Sequence, residues 1–599
     1  MKWIEEGPDV ETYKKCEERE GKTPTIEEIE GYKKTWQRDR LSWIKDSLPQ
    51  EWKERYEALV DELGEPEHPD FASVTTTWVG PTSPKTPQEL QAMSVSEIVD
   101  YLKRWEPPKD ILERPTPEGL GRILAQVVSQ DPARFAKEAE SFKGLDPTYI
   151  RHLLSGFREA RPQESFDWKP VLFLCQWVME QPREIPDRRE EPLDKDPHWG
   201  WARQEVARLL SAGFEEGSKE MPIDFKKLVW SILEPITDDP DPTPEEETKY
   251  GGTNMDLVTL SINTTRGEAM HTVIRYALWC KRHLKVESLE ELPEVKKVLE
   301  KHLDPDVDPS FAIRSVYGQW FPSLVSIDKE WAKSHVGKIF PHDEPSQLFW
   351  EAAWGAYIVF CPLYFCPPYD EVFEVLYGEY EKAVEKMGKW SPKISHIADP
   401  DEKIAEHLMA FYLKGKINLT DRVLNSFWEK ASDELRAHAM EFIGRSLPNI
   451  EEKEILKRSK LLWELRLKSA EESLQKNDYK KEIAAFGWWF ISGRFENTWA
   501  FQQLLQAIKF SKRIEPTNLV VERLARLVTN YPKEAVRCFK ELVDGEIEYW
   551  DVLGWHKEAE ELLSIALESA DIEAKELAEE TIHKLGARDH LEFGKILKK

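Results

Sequence analysis

One segment of this chain concentrates the residue types that do chemistry. SINTTRGEAMHTVIRYALWCKRHL, residues 261–284, reads as a helix entered through a Thr265/Glu268 capping box. At about 100° per residue, Met270, Val273, Ile274, Ala277 and the Lys281 stem share one side. Glu268, His271, Arg275, Trp279 and Arg282 fall on the other. A carboxylate, an imidazole, two guanidiniums and an indole on one face would read a phosphate, a peptide acid or a nucleotide base. The same groups would also form ion pairs and stacked rings between helices, and that structural reading is preferred. Arg266, near the helix start, is open to the same two readings.

Other chemistries lack their patterns. There is no G-x-x-x-x-G-K-[ST] and no G-x-G-x-x-G after a strand, and Gly119-Leu120-Gly121 reads as a tight helix start. H-E-x-x-H and paired C-x-x-C are absent. Cys361 and Cys366 flank Pro362 with no histidine nearby and read as buried thiols; His335 and His342 fit no common zinc spacing. Asp304, Asp306 and Asp308 start like a calcium loop, but Pro309 stands where glycine is needed and Ser315 where a bidentate glutamate belongs. They read as a solvated turn. No G-x-S-x-G occurs. A hydrolase site assembled between helices stays open as an alternative, because triads are built by geometry rather than spacing. No metal and no cofactor is expected.

The elements that would carry such residues are helices. VSEIVDYLKRW, PEGLGRILAQVV, WARQEVARLLSAGF and NLVVERLARLVTNY repeat apolar residues at helical spacing, and Ser94/Glu97 forms a second capping-box pattern. The best strand candidate is SVTTTWVG, 73–80. The predicted class is all-α, an irregular HEAT-like solenoid of stacked helical hairpins with Pro-rich acidic loops. Its clearest part, from Trp499 onward, reads as helices at about 499–512, 516–530, 532–543, 557–569, 573–585 and 588–597.

Five regions are expected: a charged hairpin over 1–68, a helical region with a Pro-rich entry over 69–181, loops flanking a helical island over 182–252, a central array over 253–480, and a C-terminal array over 481–599. Within the third, PREIPDRREEPLDKDPH (182–198) and PITDDPDPTPEEETKYGG (235–252) read as solvated linkers. Most of the 24 tryptophans read as core; the 480–499 stretch, with Trp488 and Trp489, reads as a meeting of helical layers or as a partner groove.

The 599 residues carry 83 Lys+Arg against 111 Asp+Glu, a net charge of −28. Such a surface disfavours general binding to nucleic acid or anionic membrane. Six scattered cysteines make no disulfide framework, and no stretch has the length and apolarity of a membrane span. With acids where a signal peptide needs an apolar core, the expected location is cytoplasmic.

Four phrases, TTTWVGPTSPKT (75–86), SINTTRGEAMHTVIRYALW (261–279), WEAAWGAYI (350–358) and SGRFENTWAFQQLLQAI (492–508), resemble the helical C-terminal regions of large bacterial and archaeal defence proteins of the STAND-NTPase or sirtuin-fused type. There the N-terminal part carries the nucleotide-binding or effector domain, and the tail recognises a ligand or holds the assembly. The resemblance implies a separately encoded or excised tail and gives no catalytic residue. The expected function is a non-enzymatic recognition or scaffolding subunit acting with a separate ATPase or effector, in anti-phage defence; a purely structural adaptor is a further alternative.

Overall fold

A computed structural model describes residues 4–5, 7–11, 13–14, 24–66, 81–108, 115–160, 165–188, 195–217, 219–250, 255–361, 369–390, 399–473, 476–546 and 549–598. Helix follows helix throughout, and the β contacts among the described residues are two isolated bridges, Thr82 with Pro115 and Glu184 with His198. The fold is all-α. The strand candidate at 73–80 and residues Cys16 and Cys366 lie outside the described residues.

The chain divides into two units, Met1–Gly80 and Pro81–Lys599. In the first, helices Ile26–Ser42 and Gln50–Leu63 pack against each other, the former entered through a Thr25/Glu28 capping box. Ile4, Leu41, Leu48, Tyr56 and Leu59 make its core, flanked by Trp36 and Trp52. Trp43 leaves that stripe: it is half exposed, with the Arg40 guanidinium 4.2 Å above its ring. In the second unit, buried apolar residues form one cluster from Leu90 to Ile596. The expected boundaries at 181, 252 and 480 all fall within that unit.

Both acid-rich "linkers" are tied into the core where they are described. Asp196 is 1% exposed and takes a two-pronged ion pair from Arg151, at 2.8 Å to each oxygen. Ile236, Thr237 and Asp239 are buried, and Asp239 meets Arg183 and Arg203. Residues 244–250 form a helix, and its Glu247 reaches the start of helix Phe311–Gln319. There its carboxylate accepts from the Ser310 hydroxyl and from the backbone N–H groups of Phe311 (3.1 Å) and Ala312 (3.0 Å). Asp308 is no solvated turn residue either: it is buried against His302 Nδ1 at 2.7 Å and Arg266 at 3.3 Å. Charge and proline look solvated in a sequence; here arginines and helix N-termini far along the chain accept them.

The C-terminal helices fall close to expectation: Asn497–Ser511, Thr517–Leu527, Pro532–Asp544, Tyr549–Glu568, Ile572–Ala587 and a 3₁₀ segment Leu591–Lys598. They pack in two interleaved series. Pro400–Leu413 contacts Asp433–Ser446, which contacts Lys480–Ala484, then Asn497–Ser511, Pro532–Asp544 and Ile572–Ala587 in turn. Phe486–Ile491, Thr517–Leu527 and Tyr549–Glu568 make the second series. Aromatic rings fill the layers: Trp350 lies between Trp354 (5.7 Å, 10°) and Trp390 (5.8 Å, 9°), and Trp463 stacks on Phe486 at 4.9 Å. Trp279, Trp350, Trp354, Trp463, Trp489 and Trp555 are among the largest fully buried side chains.

Candidate functional site

Helix Thr265–Leu284 forms as expected, but its entry differs. Thr264 is the N-cap and its side chain caps nothing, so the Thr265/Glu268 box does not form. Thr265 is buried instead, its N–H donating to the Asp241 carboxylate at 2.7 Å and its hydroxyl to the Gly200 carbonyl at 3.3 Å. The acidic segment thus supplies the anion that a helix N-terminus favours. Close packing there requires Gly267: a Cβ at this position would stand 2.1 Å from the Ser261 carbonyl oxygen.

Each residue of the candidate face meets another part of the second unit. Arg266 donates to the carbonyls of Asp239 and Pro242, both at 2.8 Å. Glu268 lies 3.6 Å from Arg208; burial holds its carboxyl above the usual range, against the pull of Arg208 and Arg275. Arg275 pairs with Glu215 at 3.3 Å and lies 5.5 Å over the Trp320 ring. Trp279 is fully buried, stacks on Phe214 at 5.0 Å and donates to the Met221 carbonyl at 3.3 Å. Arg282 donates to the Phe214 carbonyl at 2.7 Å and pairs with Glu220. Burial opposes ionisation of Glu220, but hydrogen bonds from Arg282 and His283 outweigh it and hold the group below its usual value. Arg275, Trp279 and Arg282 therefore converge on one turn, residues 214–221.

His271 makes the contact that most resembles catalysis. Its Nε2 lies 2.8 Å from Ser261 Oγ, and both residues are buried. The hydrogen-bond directions decide what the pair does. Trp320 donates its indole N–H to His271 Nδ1 at 2.7 Å, so Nδ1 is an acceptor and Nε2 carries the proton. Nε2–H then donates to Ser261 Oγ, while the Ser261 hydroxyl donates to the Val258 carbonyl at 2.7 Å. A base that activates serine needs the opposite tautomer, with Nδ1–H held by a carboxylate. Burial, with Arg275 adding to it, pushes the His271 pKa down to about 3. This pair is a neutral structural relay.

Cysteine nucleophiles fare no better: burial pushes the thiol of Cys175 up to about 12 and that of Cys280 to about 11. Among the described residues, no three His, Cys, Asp or Glu side chains are grouped to hold a metal ion, and no helix is long and apolar enough to cross a membrane.

Among the concavities of the second unit, two differ in character. A cleft of about 440 Å³ runs over Asp433–Ser446, Lys480–Ala484 and Phe486–Ile491, lined by Ala484, Ala485 and Trp488 together with the charged Lys481, Arg513 and Glu546. Within the 480–499 stretch, Trp489 is buried in the core and Trp488 lines this cleft. A smaller pocket of about 230 Å³ lies against the turn that the candidate face holds. Sequence reasoning missed it, because its walls come from segments up to about 60 residues apart.

No family model matches the chain, and no curated relative matches it. Among solved structures, the crystal structure of an engineered protein aligns over 82% of this chain and 98% of its own, at 12% identity and a TM-score of 0.26. A likeness at that score carries no argument about this chain.

Proposed function

We propose that the chain is a non-enzymatic recognition or scaffolding subunit, built as a HEAT-like solenoid, that binds a separately encoded protein partner. The observation that carries this reading is the pair of interleaved helix series from Pro400 to Ala587, in which each helix meets its near neighbours. Arrays of that kind present extended surfaces and bind along them. The cleft beside Trp488 crosses several consecutive helices and is the place on this array where an apolar partner segment would seat. The resemblance to defence-protein tails supports an ATPase or effector as the partner, in anti-phage defence. The competing hydrolase reading has its nearest approach at Ser261–His271, and there the tautomer is wrong for it.

Affinity purification of the tagged full-length chain from its native host, with and without phage challenge, tests this. The expected result is an ATPase or nuclease recovered in stoichiometric amount. A chain recovered alone under both conditions contradicts it.

A further inference from the structure

The 230 Å³ pocket has the inventory of a small-molecule site. Its floor is aromatic: Phe157 and Phe166 lie 5.2 Å apart at 40°, and Phe166 and Trp168 4.8 Å apart at 47°. Trp168 is fixed by its indole N–H, which donates to the Lys219 carbonyl at 3.0 Å. Gly213 makes room for it, since a Cβ there would come within 2.8 Å of the indole. The turn that follows Gly213 completes the lining through Glu215, Glu216, Gly217 and Lys219, and the Met221 N–H donates to the Gly213 carbonyl at 2.7 Å. That turn is held from behind by Arg275, Trp279 and Arg282.

The charged groups around this floor are of both signs and keep unused capacity. Arg158 gives Nε to Glu205 (2.6 Å) and Nη2 to Glu159 (3.1 Å) and Ser155 (3.4 Å). Its Nη1 has no partner among the described residues. Lys219 gives one ammonium N–H to the Ala160 carbonyl, and an ammonium has three. Glu215 is taken by Arg275. Glu216 is exposed and has no ion-pair partner among the described residues. Two cations with spare donors, one free carboxylate and three rings complement a ligand with a carboxylate, an ammonium and an apolar body. The volume falls below the ~300–1,000 Å³ of sites for drug-sized ligands.

We infer that this pocket binds a free α-amino acid with an apolar side chain: its carboxylate meets Arg158 and Lys219, its ammonium meets Glu216, and its side chain lies on Phe157, Phe166 and Trp168. The inference is independent of the partner-binding reading, since the pocket and the Trp488 cleft share no residue.

Calorimetric titration of the full-length chain with a panel of apolar L-amino acids tests it, with phenethylamine and 3-phenylpropanoate as single-charge probes. The expected result is saturable binding of at least one amino acid, with each single-charge probe about 10- to 100-fold weaker than L-phenylalanine or the best binder. Glu216→Gln should weaken the amino acid by a similar factor and leave 3-phenylpropanoate unaffected; Lys219→Gln should weaken both. Melting curves confirm that the exposed Glu216 variant and the half-buried Lys219 variant both fold. Absence of saturable binding at millimolar concentrations overturns the proposal. So does single-charge binding as tight as the amino acid's, or an amino-acid affinity unchanged in Glu216→Gln.

Discussion

His271 shows how a residue type that suggests catalysis can be settled by the directions of its hydrogen bonds. Trp320 donates to it, it donates to Ser261, and Ser261 donates to Val258, leaving no proton to transfer. The imidazole is expected to stay neutral down to pH ~4, with the proton on Nε2, in ¹⁵N-resolved NMR. A midpoint near the ordinary ~6.5 would contradict the relay. Magnitudes separate its neighbours. Trp279 is fully buried and its replacement by Ala should cost about 3–5 kcal/mol. Arg275 is 39% exposed and makes one surface ion pair and one contact with the Trp320 ring, so Arg275→Ala should cost about 1 kcal/mol, well below the Trp279 figure. Equal costs in urea unfolding would sink this division between core and rim.

Among elements, the acid-rich segments carry the largest departure from the sequence reading. Helix ends were legible: Ser94/Glu97 forms its capping box, and the C-terminal helices begin and end within a few residues of the apolar periodicity. Tyr549–Glu568 is broken at Trp555 (φ −132°, ψ 15°), so its second part starts within a few residues of the expected 557; the exception is Thr265, whose anion comes from Asp241, 24 residues upstream. Local spacing cannot disclose such a partner. Glu247, read as part of a solvated run, caps a helix 64 residues later, and Glu247→Ala should destabilise by about 1–2 kcal/mol. An unchanged unfolding midpoint would restore the solvated reading. Glu482 is fully buried between Arg436 (2.7 Å) and Arg466 (2.9 Å), so Glu482→Gln should cost about 3–5 kcal/mol by stranding two guanidiniums.

The same logic gives a pH dependence at Glu118. Burial works against its charge, but His152, Arg151 and Arg122 together hold its pKa well below the ordinary value. A depressed carboxylate contributes stability that is full above the unfolded-state value of about 4.3 and is lost as pH falls through the folded one. The stability gap between wild type and Glu118→Gln should therefore narrow on acidification below pH ~4.5. A gap that stays constant with pH would show that the carboxylate's charge is not what counts.

For the whole molecule, two separate cores imply two folding units, and residues 81–599 expressed alone should keep the helicity and main unfolding transition of that part of the full chain. Loss of cooperative unfolding in that fragment would contradict the division. The class of fold was legible because 3.6-residue periodicity is local; the 480–499 stretch was singled out as a groove candidate, but the remaining walls of the cleft and the whole of the pocket were not legible, because they meet only after the helices stack. The central claim is that the Glu268–Arg282 face holds its part of the second unit together and that the partner binds elsewhere on that unit, along the Pro400–Ala587 array. Its most direct test measures partner recovery and melting temperature together in Arg275→Ala and Trp279→Ala. The account predicts that Arg275→Ala changes neither appreciably, and that Trp279→Ala lowers both. Partner recovery abolished by Arg275→Ala at an unchanged melting temperature would show that this face is itself the binding site.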